Sequence, residues 1–95
     1  MSVSERVAAR VSRDFGAVAR EALEALALAE TGGQNVERVH AALVLMAEGS
    51  VDRLWQAVEL SAVDWRDVLM NGGLANGDWP EVLEREFGPV SGARS

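Results

Sequence analysis

The chain has 95 residues, 48% of them apolar and 25% charged, with a formal net charge of -6 and no cysteine. A chain of this size folds as one domain that buries roughly 60–65% of the surface its unfolded form exposes, and the lack of cysteine excludes a disulfide framework, a thiol nucleophile and a thiolate metal site. Every one of the nine basic residues is Arg, with seven acids and five arginines in residues 1–49 against eight and four in residues 50–95; so even a spread argues against nonspecific binding to nucleic acid or to an anionic membrane, both of which need clustered positive charge.

Ser2 and Glu5 have capping-box spacing, and the next 26 or so residues favour helix without a proline. Ala8, Val11, Phe15, Val18, Ala22, Ala25 and Ala29 recur at three- and four-residue steps, an apolar stripe on one face of a long first helix. Gly16 lies inside that helix and marks the place where it bends or breaks. Beyond it, Leu23, Leu26 and Leu28 point around the axis. This excess of apolar positions over residues 22–29 predicts burial on several sides, within the domain or against a second copy of the chain.

Thr31 to Gln34 end the first helix, and Asn35 caps a second that runs from Val36 to Glu48 with Val36, Val39, Leu43 and Met46 as its apolar face. Gly49 closes it and Ser50 caps a third, about 51–63, which presents Val51, Leu54, Trp55, Val58 and Ala62 on one side. Two short helices follow, about 65–71 and 79–87, and Gly88 and Pro89 stop the last of them. No apolar run approaches the ~20 residues of a membrane-spanning helix. Glu5, Arg6 and Arg10 occupy the positions where a signal peptide would be apolar, so a cytoplasmic location is expected.

The two short helices open on the same phrase. Leu60, Asp64, Trp65, Asp67, Val68 and Leu69 recur fourteen residues on as Leu74, Asp78, Trp79, Glu81, Val82 and Leu83. In each copy an Asp precedes the helix and an acid follows three residues later, the spacing of a capping box, with both acids at the positive end of the helix dipole. Val63 and Val68 stand where a hydrophobic staple would form in the first copy, whereas Gly77 cannot supply one in the second.

Arg38-Val39-His40-Ala41-Ala42, Gly49 before a helix, Asp64-Trp65-Arg66-Asp67-Val68-Leu69, Gly73-Leu74-Ala75 and Asp78-Trp79-Pro80 together resemble a group of small uncharacterised bacterial proteins. The resemblance covers roughly residues 35–85 and implies an all-helical single domain of about this length. It implies no activity and no site residue.

Four sets of residues are candidates for function. Glu37 and His40 form a Glu-x-x-His step, which places a carboxylate and an imidazole on one helix face as in ferritin-like di-iron bundles. A complete site needs a second such step, here from another copy of the chain, with Glu24 or Glu30 as a further ligand; the competing reading is a partly buried, hydrogen-bonded core histidine. Trp65 and Trp79, with Trp55, either line a groove for a partner peptide, since tryptophan is enriched in binding hot spots, or fill the core of a small domain. Asp64, Asp67, Asp78, Glu81, Glu84 and Glu86 either form a negative face for a basic partner or are capping and solvated surface residues. A DNA-reading helix-turn-helix would place only Arg66 or Arg85 among several acids, a poor footprint for phosphate contact. One histidine and no Gly-x-Ser-x-Gly elbow argue against a hydrolytic triad, and Gly32-Gly33 and Gly72-Gly73 lack the lysine of a phosphate loop.

These readings predict an all-α fold, a compact bundle of four to five helices with a long N-terminal helix and two short C-terminal helices. Residues 1–89 form one domain and 90–95 a flexible tail. The expected function is that of a non-enzymatic interaction or regulatory module without a cofactor, homodimeric through its N-terminal helix. The alternative is a metal-binding helical protein using Glu37 and His40.

Overall fold

The structure, a computed structural model, describes residues 3–29, 31 and 35–88; the expected Ser2 cap and the tail at 90–95 lie outside them. Among the described residues the fold is all-helical, in the order α1 (Glu5–Phe15), a 3-10 turn (Gly16–Val18), α2 (Ala19–Ala27), α3 (Val36–Ala47), α4 (Val51–Asn71) and α5 (Trp79–Phe87). No described helix is long and apolar enough to cross a membrane.

The N-terminal helix is not one rod. Gly16, at φ 53°, takes a conformation that a side chain would disfavour, and its amide bonds to the Ser12 carbonyl to end α1. The 3-10 turn that follows changes the rotational phase, because it advances by three rather than 3.6 residues per turn. As a result Val7, Val11 and Phe15 of α1 and Ala22, Ala25 and Leu26 of α2 are buried, while Val18 turns outward. Ser4 caps α1, its hydroxyl accepting from the Val7 amide at 3.4 Å.

The helix buried on nearly every side is α3 rather than residues 22–29. Val39 through Val44 are all buried, as is Ala47, and α3 packs most extensively on α4. Small residues permit that closeness. A β-carbon built on Gly72, just past α4, would stand 2.6 Å from the Ala42 β-carbon and 2.7 Å from its α-carbon, so the two backbones meet with nothing between them. Leu54, Ala57, Val58 and Ser61 form the inner stripe of α4, and the expected Ala62 is exposed in place of Ser61. One hydrophobic core runs through these helices and takes in Val82 and Leu83 of α5.

Asn35 and Ser50 cap α3 and α4 through the Arg38 and Arg53 amides, at 3.0 Å and 3.3 Å. The repeated phrase diverges at its caps. Asp64 is extended (φ -157°, ψ 96°) and breaks α4 in its middle. Its carboxylate accepts from the Arg66 amide at 3.0 Å and so restarts the helix at Trp65. Asp78 makes no such bond. The residue at the position of Arg66 is Pro80, which has no N–H to give, and the Glu81 and Val82 amides bond instead to the Asp78 backbone carbonyl. The expected staple is also absent: Val68 is fully buried but Val63 is 83% exposed.

Candidate functional site

Asp64 breaks α4, and residues after the break, with the turn beyond them, lie beside Arg38 in the first turn of α3. Trp65 follows the break half-buried, with the Arg66 guanidinium over its ring at 5.1 Å. Past Gly72 the chain turns back, the Leu74 amide bonding to the Leu69 carbonyl at 2.8 Å, and the Leu74 side chain is fully buried. That turn presents two carbonyls to α3. Arg38 donates through Nε to the Leu74 carbonyl at 2.8 Å and through Nη2 to the Ala75 carbonyl at 3.2 Å, with its guanidinium 4.9 Å over the Trp79 ring.

Between these elements lies an open groove of about 290 Å³ lined by Arg38, Trp65, Arg66, Leu69, Met70 and Ala75. Its floor is apolar, with Met70 66% exposed. Its two charged residues are both arginines, and no carboxylate lines it. Among the described residues Arg38 and Arg66 form no ion pair, whereas Arg6, Arg10, Arg13, Arg53 and Arg85 each have a carboxylate within 4.0 Å. In a chain of net charge -6 this is a local positive field beside a half-buried aromatic and an exposed thioether.

Of the two tryptophans proposed for a groove, only Trp65 lines this one. Trp79 stands behind Arg38 and holds its guanidinium plane by stacking. Trp55 is half-buried elsewhere and donates its indole N–H to Glu21 across to α2 at 3.0 Å. Arg38 and Met70 were not singled out by sequence reasoning, and no linear signal joins them to Trp65 across the intervening chain.

Glu37 and His40 share α3 but face different surroundings. Both Glu37 carboxylate oxygens are taken by Arg6, at 2.6 Å from Nε and 2.8 Å from Nη2, and the Ser4 hydroxyl donates to the same carboxylate at 2.7 Å. Arg6, foremost, holds the Glu37 carboxyl below its ordinary pKa. His40 is fully buried, and neither ring nitrogen has a hydrogen-bond partner. Burial, foremost, lowers its pKa, and the nearby Leu26 backbone carbonyl partly opposes that by favouring the charged ring, although neither ring nitrogen reaches hydrogen-bond geometry. Among the described residues no group of three or more His, Asp or Glu side chains converges as a metal site, so metal binding at Glu37 would have to displace the Arg6 pair.

No protein-family model matches the chain, and comparison with curated proteins and with solved structures yields no match either.

Proposed function

We propose that the protein is a non-enzymatic helical interaction module whose Trp65 groove receives an acidic peptide segment bearing an apolar side chain, supplied by a partner protein. The observation that carries this reading is the pairing of an apolar floor, Trp65, Leu69 and Met70, with two arginines that have no carboxylate of their own among the described residues. An apolar side chain of the segment covers the floor, and its carboxylates meet Arg38 and Arg66. Arg38 is already oriented by two carbonyls and a tryptophan, so little of its freedom is lost on binding.

The test is panning of a displayed peptide library in which Asp or Glu alternates with Leu, Phe or Met. The native protein enriches such sequences; Trp65→Ala and Arg66→Glu do not. Absence of enrichment by the native chain, or enrichment that survives Arg66→Glu, overturns the reading.

The homodimer through the N-terminal helix has less to support it. Its motive was the apolar excess at residues 22–29, and Ala22, Ala25 and Leu26 spend most of that inside the chain, leaving Leu28 at 71% exposure.

A further inference from the structure

Arg6, Arg10 and Arg13 follow one another along α1 at four- and three-residue steps, the spacing that places side chains on one helix face. The C-terminal end of α5 lies against that face. Together they enclose a cleft of about 390 Å³ lined by Arg6, Arg10, Arg13, Arg85, Glu86 and Phe87. Four of the nine arginines of a chain with net charge -6 therefore meet at one place.

What matters is how far each guanidinium is already spent. Arg6 gives Nε and Nη2 to Glu37 and Nη1 to the Gly88 carbonyl at 3.0 Å, and it ties the cleft together. Arg10 bonds through Nε to Asp14 at 2.8 Å and through Nη1 to the Glu86 backbone carbonyl at 2.6 Å, and its guanidinium lies 5.2 Å over the Phe87 ring. A guanidinium carries five N–H donors, so Arg10 is held rigidly while its Nη2 group has no partner among the described residues. Arg13 reaches only its neighbour Asp14, through Nε at 3.4 Å, and Arg85 only its neighbour Glu86, at 3.6 Å. Both are mainly exposed, at 69% and 67%, so these pairs are screened by water and weak.

We propose that this cleft binds the phosphate group of a small phosphomonoester. The fixed Arg10 offers its free Nη2 donors, and Arg13 and Arg85 offer theirs from two different helices, α1 and α5. A tetrahedral dianion presents acceptor oxygens in all three directions, whereas a carboxylate presents two in one plane. The volume lies within the range of small-molecule sites and exceeds what phosphate alone fills, leaving room for an organic group against Phe87. Glu86 is the one acid on the lining, with its carboxylate 3.8 Å from Arg10 Nη1 and 3.6 Å from Arg85 Nε. It opposes the ligand, and its removal strengthens binding. This inference is independent of the Trp65 groove, which lies on other elements.

The experiment is an NMR titration of the full chain at constant ionic strength with phenyl phosphate, inorganic phosphate and benzoate, following backbone amides and arginine Nε–H signals. Phenyl phosphate is expected to give saturable shifts at Arg10, Arg13 and Arg85, with inorganic phosphate weaker and benzoate weakest. Arg13→Gln and Arg85→Gln each weaken phenyl phosphate by about tenfold, the worth of one charged hydrogen bond, and Glu86→Gln tightens it. Arg20→Gln makes the same change in net charge on an exposed residue of α2 outside the cleft, and leaves affinity unchanged. Absence of saturation with either phosphate probe, benzoate binding as well as phenyl phosphate, or an Arg20→Gln effect equal to that of Arg13→Gln overturns the proposal. Arg13 and Arg85 are surface residues, so unchanged far-UV circular dichroism of their variants ties any loss to binding.

Discussion

Replacing His40 by leucine separates the cost of an unpaired core imidazole from its effect on acid stability. The ring is fully buried on α3 with both nitrogens unpartnered, so the neutral imidazole holds one donor and one acceptor away from water. An unsatisfied buried group costs about 1–3 kcal/mol; with the Leu26 carbonyl nearby the low end applies, so leucine removes about 2–3 kcal/mol for the two nitrogens together and gives back about 1 kcal/mol to imperfect fit. The expected net gain near neutral pH is about 1–2 kcal/mol, which raises Tm by about 4–15 °C in a domain of this size. The pH dependence has a definite sign. Burial sets the folded-state pKa of His40 below the ordinary 6.5, so the unfolded chain takes up its proton first as the solution is acidified. Stability is complete above about 6.5 and is lost as the pH falls through the folded-state value.

His40 is the one histidine in the chain, and most carboxylates titrate below about pH 5, so the slope between about pH 7.5 and 5 belongs largely to this ring. Glu37, held below its ordinary 4.5 chiefly by its bond from Arg6, adds a further loss only under more acid conditions. Urea unfolding followed by far-UV circular dichroism across that range measures both effects. The native chain weakens on acidification, the His40→Leu curve stays nearly flat, and the gap between them widens. Parallel curves, or a variant less stable than its parent near neutral pH, would refute the reasoning.

Gly72→Ala places a methyl group against the backbone of Ala42, which cannot yield as a side-chain tip would, and is expected to cost about 2 kcal/mol or more by urea unfolding. Gly77→Ala, where an added methyl meets nothing, shows no comparable loss. The two halves of the repeat respond unequally: Asp64→Ala removes a formed cap and costs about 1 kcal/mol, while Asp78→Ala costs less than about 0.5 kcal/mol, as thermal unfolding of the pair would show.

Much of the architecture was legible because local signals and packing agree. Asn35 and Ser50 cap the helices they precede, and Gly16 breaks the first helix where its cost is concentrated. The misreadings arise where a periodic rule meets a local exception. The stripe through Val18 failed because a 3-10 turn altered its phase, and the stripe through Ala62 because Ser61 occupies the inner position, its hydroxyl donating to the Val58 carbonyl at 2.6 Å. Neither copy forms the reciprocal box: Asp64 caps through the Arg66 amide, one residue short of the box position, and in the second copy that residue is Pro80, with no N–H, while the Glu81 amide goes to the Asp78 backbone carbonyl. Burial of α3 on several sides was hidden for another reason: Ala41, Ala42 and Ala47 carry too little hydrophobic weight to widen the apparent apolar face, yet their small size is what lets α4 and the Gly72 turn approach.

The charge distribution illustrates a further limit of linear reading. Counted along the chain, arginines are outnumbered in both halves and no cluster stands out. Folding sorts them by what they find. Arg6 becomes a structural tie between α1, Glu37 and the end of α5, and Arg38 a tie between α3 and the turn after α4, each bonded to backbone carbonyls that no helix satisfies. Because a guanidinium has more donors than one such tie consumes, the residues that hold the fold together also set the orientation of unspent positive charge at its surface. Arg10 in the α1–α5 cleft and Arg38 beside Trp65 are both fixed in this way. Flexible arginines stand next to each, Arg13 and Arg85 in one case and Arg66 in the other. A fixed cation beside mobile ones can receive an anion with little reorganisation, and this arrangement, built by tertiary contacts from a sequence of overall negative charge, is what the two proposed binding surfaces have in common.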